Sequence, residues 1–275
     1  MADYKNFLTK FCDELDKRGV MEKMSFEIGN EPNALFYYWG TVKEFTQVLR
    51  LSYDVLKNYN SEVMCCGFVA RQIRNGERNP KSRFYQFTYN EPLFNDKVLL
   101  SYHLYMGRSD NDWAGFDTIQ HNFLANSIIT ETNAFINMTN SSEKLAKNNS
   151  PYFVYKMAQL LAFAYKNDVQ RIYFHKLMDQ PEKHKRGRNG FFDMDGNPKP
   201  SYDFLVKIKI LIKDGYKVNY TDEYIEIIGR SKSVKVALKR INFSVPKSKL
   251  EEFSREGDKK YKDKLEPSDW VIYDN

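Results

Sequence analysis

Five short apolar runs, each followed by residues at helical spacing, constrain the fold of this chain more than any other feature of its sequence. MSFEI at 24–28, EVMCCGFVA at 62–70, KVLLSYHLY at 97–105, SIITETNAF at 127–135 and QRIYFHKLM at 170–178 read as strands. Helices are expected between and around them. Tyr4, Phe7, Leu8, Phe11 and Leu15 repeat at helical spacing up to Gly19, and Thr41 with Glu44 caps a helix that aligns Val42, Phe45, Val48, Leu49 and Leu56. Further helices are predicted around 80–89 and 114–123, from Pro151 to Lys166, and over 201–213. Strands that read as nearly continuous apolar runs, with helices as crossovers, pair in parallel and are covered on both faces. The predicted class is therefore α/β, with a TIM-barrel-like parallel sheet.

Beyond Gly215 the period changes. YKVNY, EYIEIIG and SVKVALKR alternate between turn residues as antiparallel strands do. The expected organisation is a partial (β/α)8 barrel over 1–214 and a small β-rich appendage over 215–275. The charge-rich stretch 247–266 fits a surface helix or a loop equally well.

Composition narrows the function classes. Aromatic residues make up 15% of the chain, which opposes disorder, and no apolar run reaches the roughly 18 residues of a membrane helix. The net charge of +6 arises from 42 basic against 36 acidic side chains, with basic clusters at 183–188 and through 230–264. No nucleic-acid motif accompanies them, so a solvated surface is expected and no specific nucleic-acid partner. Cys65 and Cys66 are neighbours on a strand and should point to opposite faces, which predicts free thiols and a reducing compartment. The four histidines show no metal-ligand spacing, and no cofactor motif is present, so neither metal nor cofactor is expected. The N-terminus MADYKNFLTKFCDEL lacks an apolar signal core, which as written points to the cytoplasm.

In barrels of parallel strands the chemistry sits at the strands' C-terminal ends. The first strand here ends in FEIGNEPN, with Glu31 behind Asn30, and the fourth ends in IITETN, with Glu131. Two carboxyls thus project from strands of equal polarity, a pair able to divide proton donation and negative charge between them.

FEIGNEPN resembles the Asn-Glu-Pro motif of glycoside hydrolase clan A, and IITETN resembles that clan's nucleophile strand. The leading helix, the YHLY strand and the loop FFDMDGNPKPSYDFL match in the same order, from Ala2 to Lys213. The β-xylosidase/α-iduronidase family is the nearest in flavour, with the heparanase-like β-glucuronidase family beside it. The resemblance implies a retaining glycoside hydrolase that cleaves an oligo- or polysaccharide by double displacement. It makes Glu31, on barrel strand four, the acid/base and Glu131, on strand seven, the nucleophile. Asn30 would bind the sugar 2-hydroxyl, and His103 and Tyr105, on strand six, would line the subsite and orient Glu131. His175 stands where such barrels present an aromatic sugar platform; Trp39 and Trp113 either replace that platform or pack in a core.

The same correspondence leaves barrel strands one to three without counterparts in the sequence. A barrel with open edges exposes unpaired backbone. Either a separately encoded or proteolysed partner or a second copy completes it, as an oligomer or complex, or the chain is a remnant that folds differently. The alternative reading is a catalytically degenerate barrel that binds carbohydrate or serves as a structural assembly protein.

Overall fold

The structure is a computed structural model that describes residues 1–34, 36–69, 84, 87, 90–94, 97–106, 127–134, 151–179, 190–220, 224–237 and 270–274. They include the helices α1 (Ala2–Lys17), α2 (Val42–Leu56), α3 (Pro151–Lys166) and α4 (Pro200–Ile212). The strands β1 (Ser25–Ile28), β2 (Glu62–Val69), β3 (Leu99–Met106), β4 (Ile128–Ala134) and β5 (Arg171–Phe174) form one sheet in that order. A second sheet has the order β6 (Lys217–Tyr220), β7 (Tyr224–Ile228), β8 (Lys232–Ala237) and β9 (Trp270–Asp274). The chain divides into two compact units. The first contains α1, α2, β1, β2, most of β3 and β4, and Asp168–Tyr173; the second contains α3, α4 and β6 to β9.

In the first unit, the strands of the five-stranded sheet run parallel, with Ser25 opposite Glu62 and Ile28 opposite Cys65 between β1 and β2. Its curvature can be read from side chains. In a flat sheet β1 and β4 would lie about 14 Å apart, three strand spacings. Yet Thr130 Oγ1 on β4 donates to Glu27 Oε1 on β1 at 2.7 Å. At the opposite strand ends, Arg171 on β5 pairs with Glu62 on β2, again across three spacings. The sheet is therefore curled into part of a barrel, and the expected TIM-barrel-like class holds.

The outer face of the sheet is covered as the periodicity of α2 requires. Thr41 and Glu44 close the predicted capping box, Thr41 N donating to Glu44 Oε2 at 2.7 Å and Glu44 N to Thr41 Oγ1 at 3.2 Å. Phe45, Leu49, Val55 and Leu56 are buried on that face. Phe45 meets Tyr38, Phe84 and Phe87 edge-on, and Phe68 of β2 joins Phe84 and Phe87. Each such buried ring contributes about 1.5–3 kcal/mol of transfer free energy. α1 packs on α2 through Leu8 and Cys12, and Tyr4 Oη lies 2.8 Å from Ser52 Oγ.

In the second unit, α3 packs against β6, β7, β8 and α4. Ile225, Ile227, Val234 and Val236 are buried, as are Met157, Ala158, Leu160 and Leu161 of the helix. All pairings in this sheet are antiparallel, as the alternating pattern predicts.

Several expectations are corrected. Cys65 and Cys66 are joined in a disulfide across a cis peptide bond, their Cα atoms 3.1 Å apart, where strand alternation predicted opposed thiols. Cys12 is the buried free thiol. Phe84, with φ 66°, is not helical, whereas Phe87 and Asn90 are; the rest of the predicted helix around 80–89 lies outside the described residues. β9 is a fourth strand in the second sheet that the sequence reading did not place. The predicted helix around 114–123 and the charged stretches 183–188 and 247–266 lie outside the described residues. No helix among those described is long and apolar enough to cross a membrane.

Candidate active site

β1 ends where the backbone must turn sharply. Gly29 has φ 89°, and a Cβ there would sit 2.8 Å from the Phe45 ring, so both conformation and space demand glycine. Glu31 itself is left-handed, with φ 49°, a conformation that costs an L-residue on the order of 1–2 kcal/mol. Backbone hydrogen bonds hold it there: Glu31 N donates to Gly67 O at 3.2 Å, and Ala34 N to Glu31 O at 2.8 Å. Buried Asn33 clasps the end of β2, its Nδ2 donating to Val69 O at 3.2 Å while Val69 N donates to its Oδ1 at 3.0 Å. The NEPN segment is thus fixed to the neighbouring strand, and the Glu31 side chain is aimed by that attachment.

Three of the predicted residues meet. His103 Nδ1 on β3 hydrogen-bonds Glu31 Oε1 at 2.8 Å and stands 3.5 Å from Glu131 Oε2 on β4. The three donor atoms all lie within 4.8 Å of one another, so carboxyl oxygens of the two glutamates are no farther apart than that. His103 is buried, whereas Glu31 and Glu131 keep 14% and 30% of their side-chain surface, enough for a substrate to reach them. One ring nitrogen therefore faces both carboxyls. Among the described residues this trio is also the group whose donor atoms lie close enough to hold a metal ion. Histidine spacing in the sequence could not reveal it, because the three donors come from three different strands.

The bed of the site was not read from the sequence. β2 carries a register irregularity between Cys65 and Phe68, and Gly67, with φ 55°, lies within it. A Cβ at Gly67 would be 2.7 Å from His103 Nε2 and 3.2 Å from Glu27 Oε1, so the glycine makes room for both side chains. Gly67 N is held by Ser101 Oγ at 2.9 Å. A lone glycine inside the apolar run EVMCCGFV is the signal that marks such a bulge or close approach. Glu27, a charge between Phe26 and Ile28 in the strand SFEI, was the corresponding signal on β1. Next to His103, Tyr102 is fully buried and burial drives its hydroxyl far above the usual tyrosine range.

The remaining predicted residues lie elsewhere. Asn30 is exposed and, with Glu27, Ile28 and Tyr37, lines a groove of about 340 Å³ bordered by Tyr4 of α1 and Phe45 of α2. Trp39 is 89% exposed in the loop after β1, so it is not core. His175 follows β5, is exposed, and belongs to the second compact unit. Tyr105 is within β3, but its side chain, like Trp113 as a whole, lies outside what is described.

A curled sheet of five parallel strands with helices between them has the fold of part of a (β/α)8 barrel, and the solved structures it resembles are glycoside hydrolases. Two solved structures illustrate the likeness, both with a TM-score of 0.58. A monomeric β-xylosidase from Caulobacter crescentus CB15 is 12% identical over 86% of this chain and 52% of its own. A family 39 glycoside hydrolase from the gut symbiont Bacteroides cellulosilyticus WH2 is 17% identical over 85% of this chain and 51% of its own. An exo-β-1,4-mannosidase from Opitutaceae bacterium strain TAV5, at 12% identity and TM-score 0.53, matches 74% of this chain and 39% of its own. The chain thus spans about half the length, or less, of these solved chains. No family model and no curated protein matches the sequence.

Proposed function

We propose that this chain is the catalytic part of a retaining glycoside hydrolase, with Glu31 as acid/base and Glu131 as nucleophile. The carrying observation is the approach of the two carboxyls to within 4.8 Å. Retaining enzymes hold them about 5–5.5 Å apart, whereas inverting ones leave about 6.5–9.5 Å for a water molecule. In the first step the Glu131 carboxylate bonds to the anomeric carbon while Glu31 gives its proton to the departing glycosidic oxygen. In the second, Glu31 takes a proton from water, whose oxygen replaces Glu131 at the same carbon, and both residues are restored. His103 orients both carboxyls. Asn30, Tyr105, His175 and Trp39 are proposed substrate contacts, the exposed indole of Trp39 offering a face on which a sugar ring can stack. Names such as β-xylosidase and β-1,4-mannosidase among the similar structures support a β-linked carbohydrate as substrate.

The test is direct. Wild-type protein should hydrolyse fluorogenic glycosides, and a 2-fluoroglycoside should esterify Glu131, seen as a mass shift on the peptide that contains it. Glu31→Gln should abolish turnover while leaving glycan binding intact. Binding without turnover or labelling in the wild type would favour the degenerate, carbohydrate-binding reading.

We further propose that more polypeptide, from a separate chain or a second copy, covers the open side of β1. Among the described residues β1 is an edge of the parallel sheet, and Phe7 and Phe11 of α1, in the same unit, are 61% and 42% exposed and stacked at 6.1 Å. Apolar rings and an unpaired parallel edge are features that folded proteins cover.

A further inference from the structure

Resting on the retaining reading, we propose that Glu27 and Thr130 form a brace that sets the separation of Glu31 and Glu131. Thr130 immediately precedes Glu131 on β4, and Glu27 lies four residues before Glu31 on β1. The 2.7 Å bond from Thr130 Oγ1 to Glu27 Oε1 joins two strands that are not neighbours in the sheet. It therefore fixes a distance that the backbone ladder leaves to the accumulated curl of two intervening strands.

Little slack remains between this bond and the two glutamates. On the β1 side, Ile28 is buried and in register with Cys65, and Glu31 N is tied to Gly67 O at 3.2 Å. On the β4 side, the next residue but one, Thr132, is buried and donates to Leu104 O at 2.5 Å. Glu27 Oε1 and His103 Nε2 both border the space above Gly67, so the brace lies beside the ring that faces both carboxyls. A change in the brace is thereby transmitted to both glutamates. Glu27 and Thr130 are positioning residues: neither has to touch the sugar, and what they supply is the carboxyl spacing that selects attack by Glu131 over attack by water.

The opposite pole of the sheet offers an internal control. Arg171 and Glu62 also link strands across three spacings, but at the strands' N-terminal ends, away from the carboxyls. Thr130→Val removes the donor at nearly constant shape and should lower kcat at least tenfold with KM within twofold, and Thr130→Ser should restore it. Glu27→Gln, which keeps an acceptor oxygen, should retain most activity, whereas Glu27→Ala should match Thr130→Val and the double variant should be no worse than either. Arg171→Met should lower the melting temperature and leave kcat unchanged. Crystal structures of wild type and Thr130→Val supply a readout independent of activity, with the Glu31–Glu131 oxygen separation expected to widen in the variant. Unchanged separation, or a kcat loss that Thr130→Ser does not rescue, overturns the brace. A wild type without turnover or labelling overturns the glycosidase reading instead, and the two crystal structures still decide the brace.

Discussion

Gly67 has no side chain, and the space it leaves is bordered by the His103 ring and the Glu27 carboxyl. Gly67→Ala would place a methyl 2.7 Å from His103 Nε2 on a backbone with φ 55°. The variant should lose about 1 kcal/mol from the left-handed strain alone. Since the ring must move, and with it the nitrogen facing both glutamates, kcat should fall more steeply than stability; chemical denaturation and steady-state kinetics on the same preparation check both. Titration argues at this scale too. Burial first, and Tyr165 nearby, push the Tyr216 hydroxyl up to about 12, and donation to Asp13 pushes Tyr59 up to about 12 as well. Both folded values exceed the ordinary tyrosine value of about 10, so their contribution to stability is complete below pH 10 and is lost as pH rises towards 12. Denaturation midpoints should therefore drop between pH 9 and pH 12, and Tyr216→Phe should shallow that drop.

The elements were legible in the sequence where local chemistry decides them. Thr41 and Glu44 form the box their spacing predicts, and Thr41→Ala should cost about 1 kcal/mol, a loss of about 2 °C in melting temperature by differential scanning calorimetry. β2, β3 and β4 begin and end within two residues of the predicted runs, because β-branched and apolar residues dominate their buried positions. β5 is shorter than QRIYFHKLM suggests. Past Phe174 the chain pairs with a loop instead: Phe191 N and Phe192 N both donate to Leu177 O, and Asp179 N donates to Phe192 O. Nothing local distinguishes that partner from another strand. β9 was missed for a related reason, since WVIYD is a strand by its pairing with Lys232–Val236 of β8, a partner that lies more than thirty residues away in sequence.

At the scale of the whole molecule, an open parallel edge and exposed apolar rings predict association. Light scattering at micromolar concentration should give a mass well above the 32.5 kDa of one chain, alone or with a partner, and a monodisperse monomer would remove that proposal. Phe7→Glu with Phe11→Glu should weaken any such association while leaving helix content unchanged by circular dichroism, because both rings are exposed. The sequence by itself determined the order of the five parallel strands and of α1 to α4, their parallel pairing and the polarity that sends Glu31 and Glu131 to the same pole, since periodicity and crossover geometry are properties of short stretches of chain. Only the tertiary structure decided that the two carboxyls approach within 4.8 Å around one histidine nitrogen, over a glycine bulge and a bond between β1 and β4. That distance depends on the curl of the sheet, summed over strands far apart in sequence, and no local pattern encodes the sum.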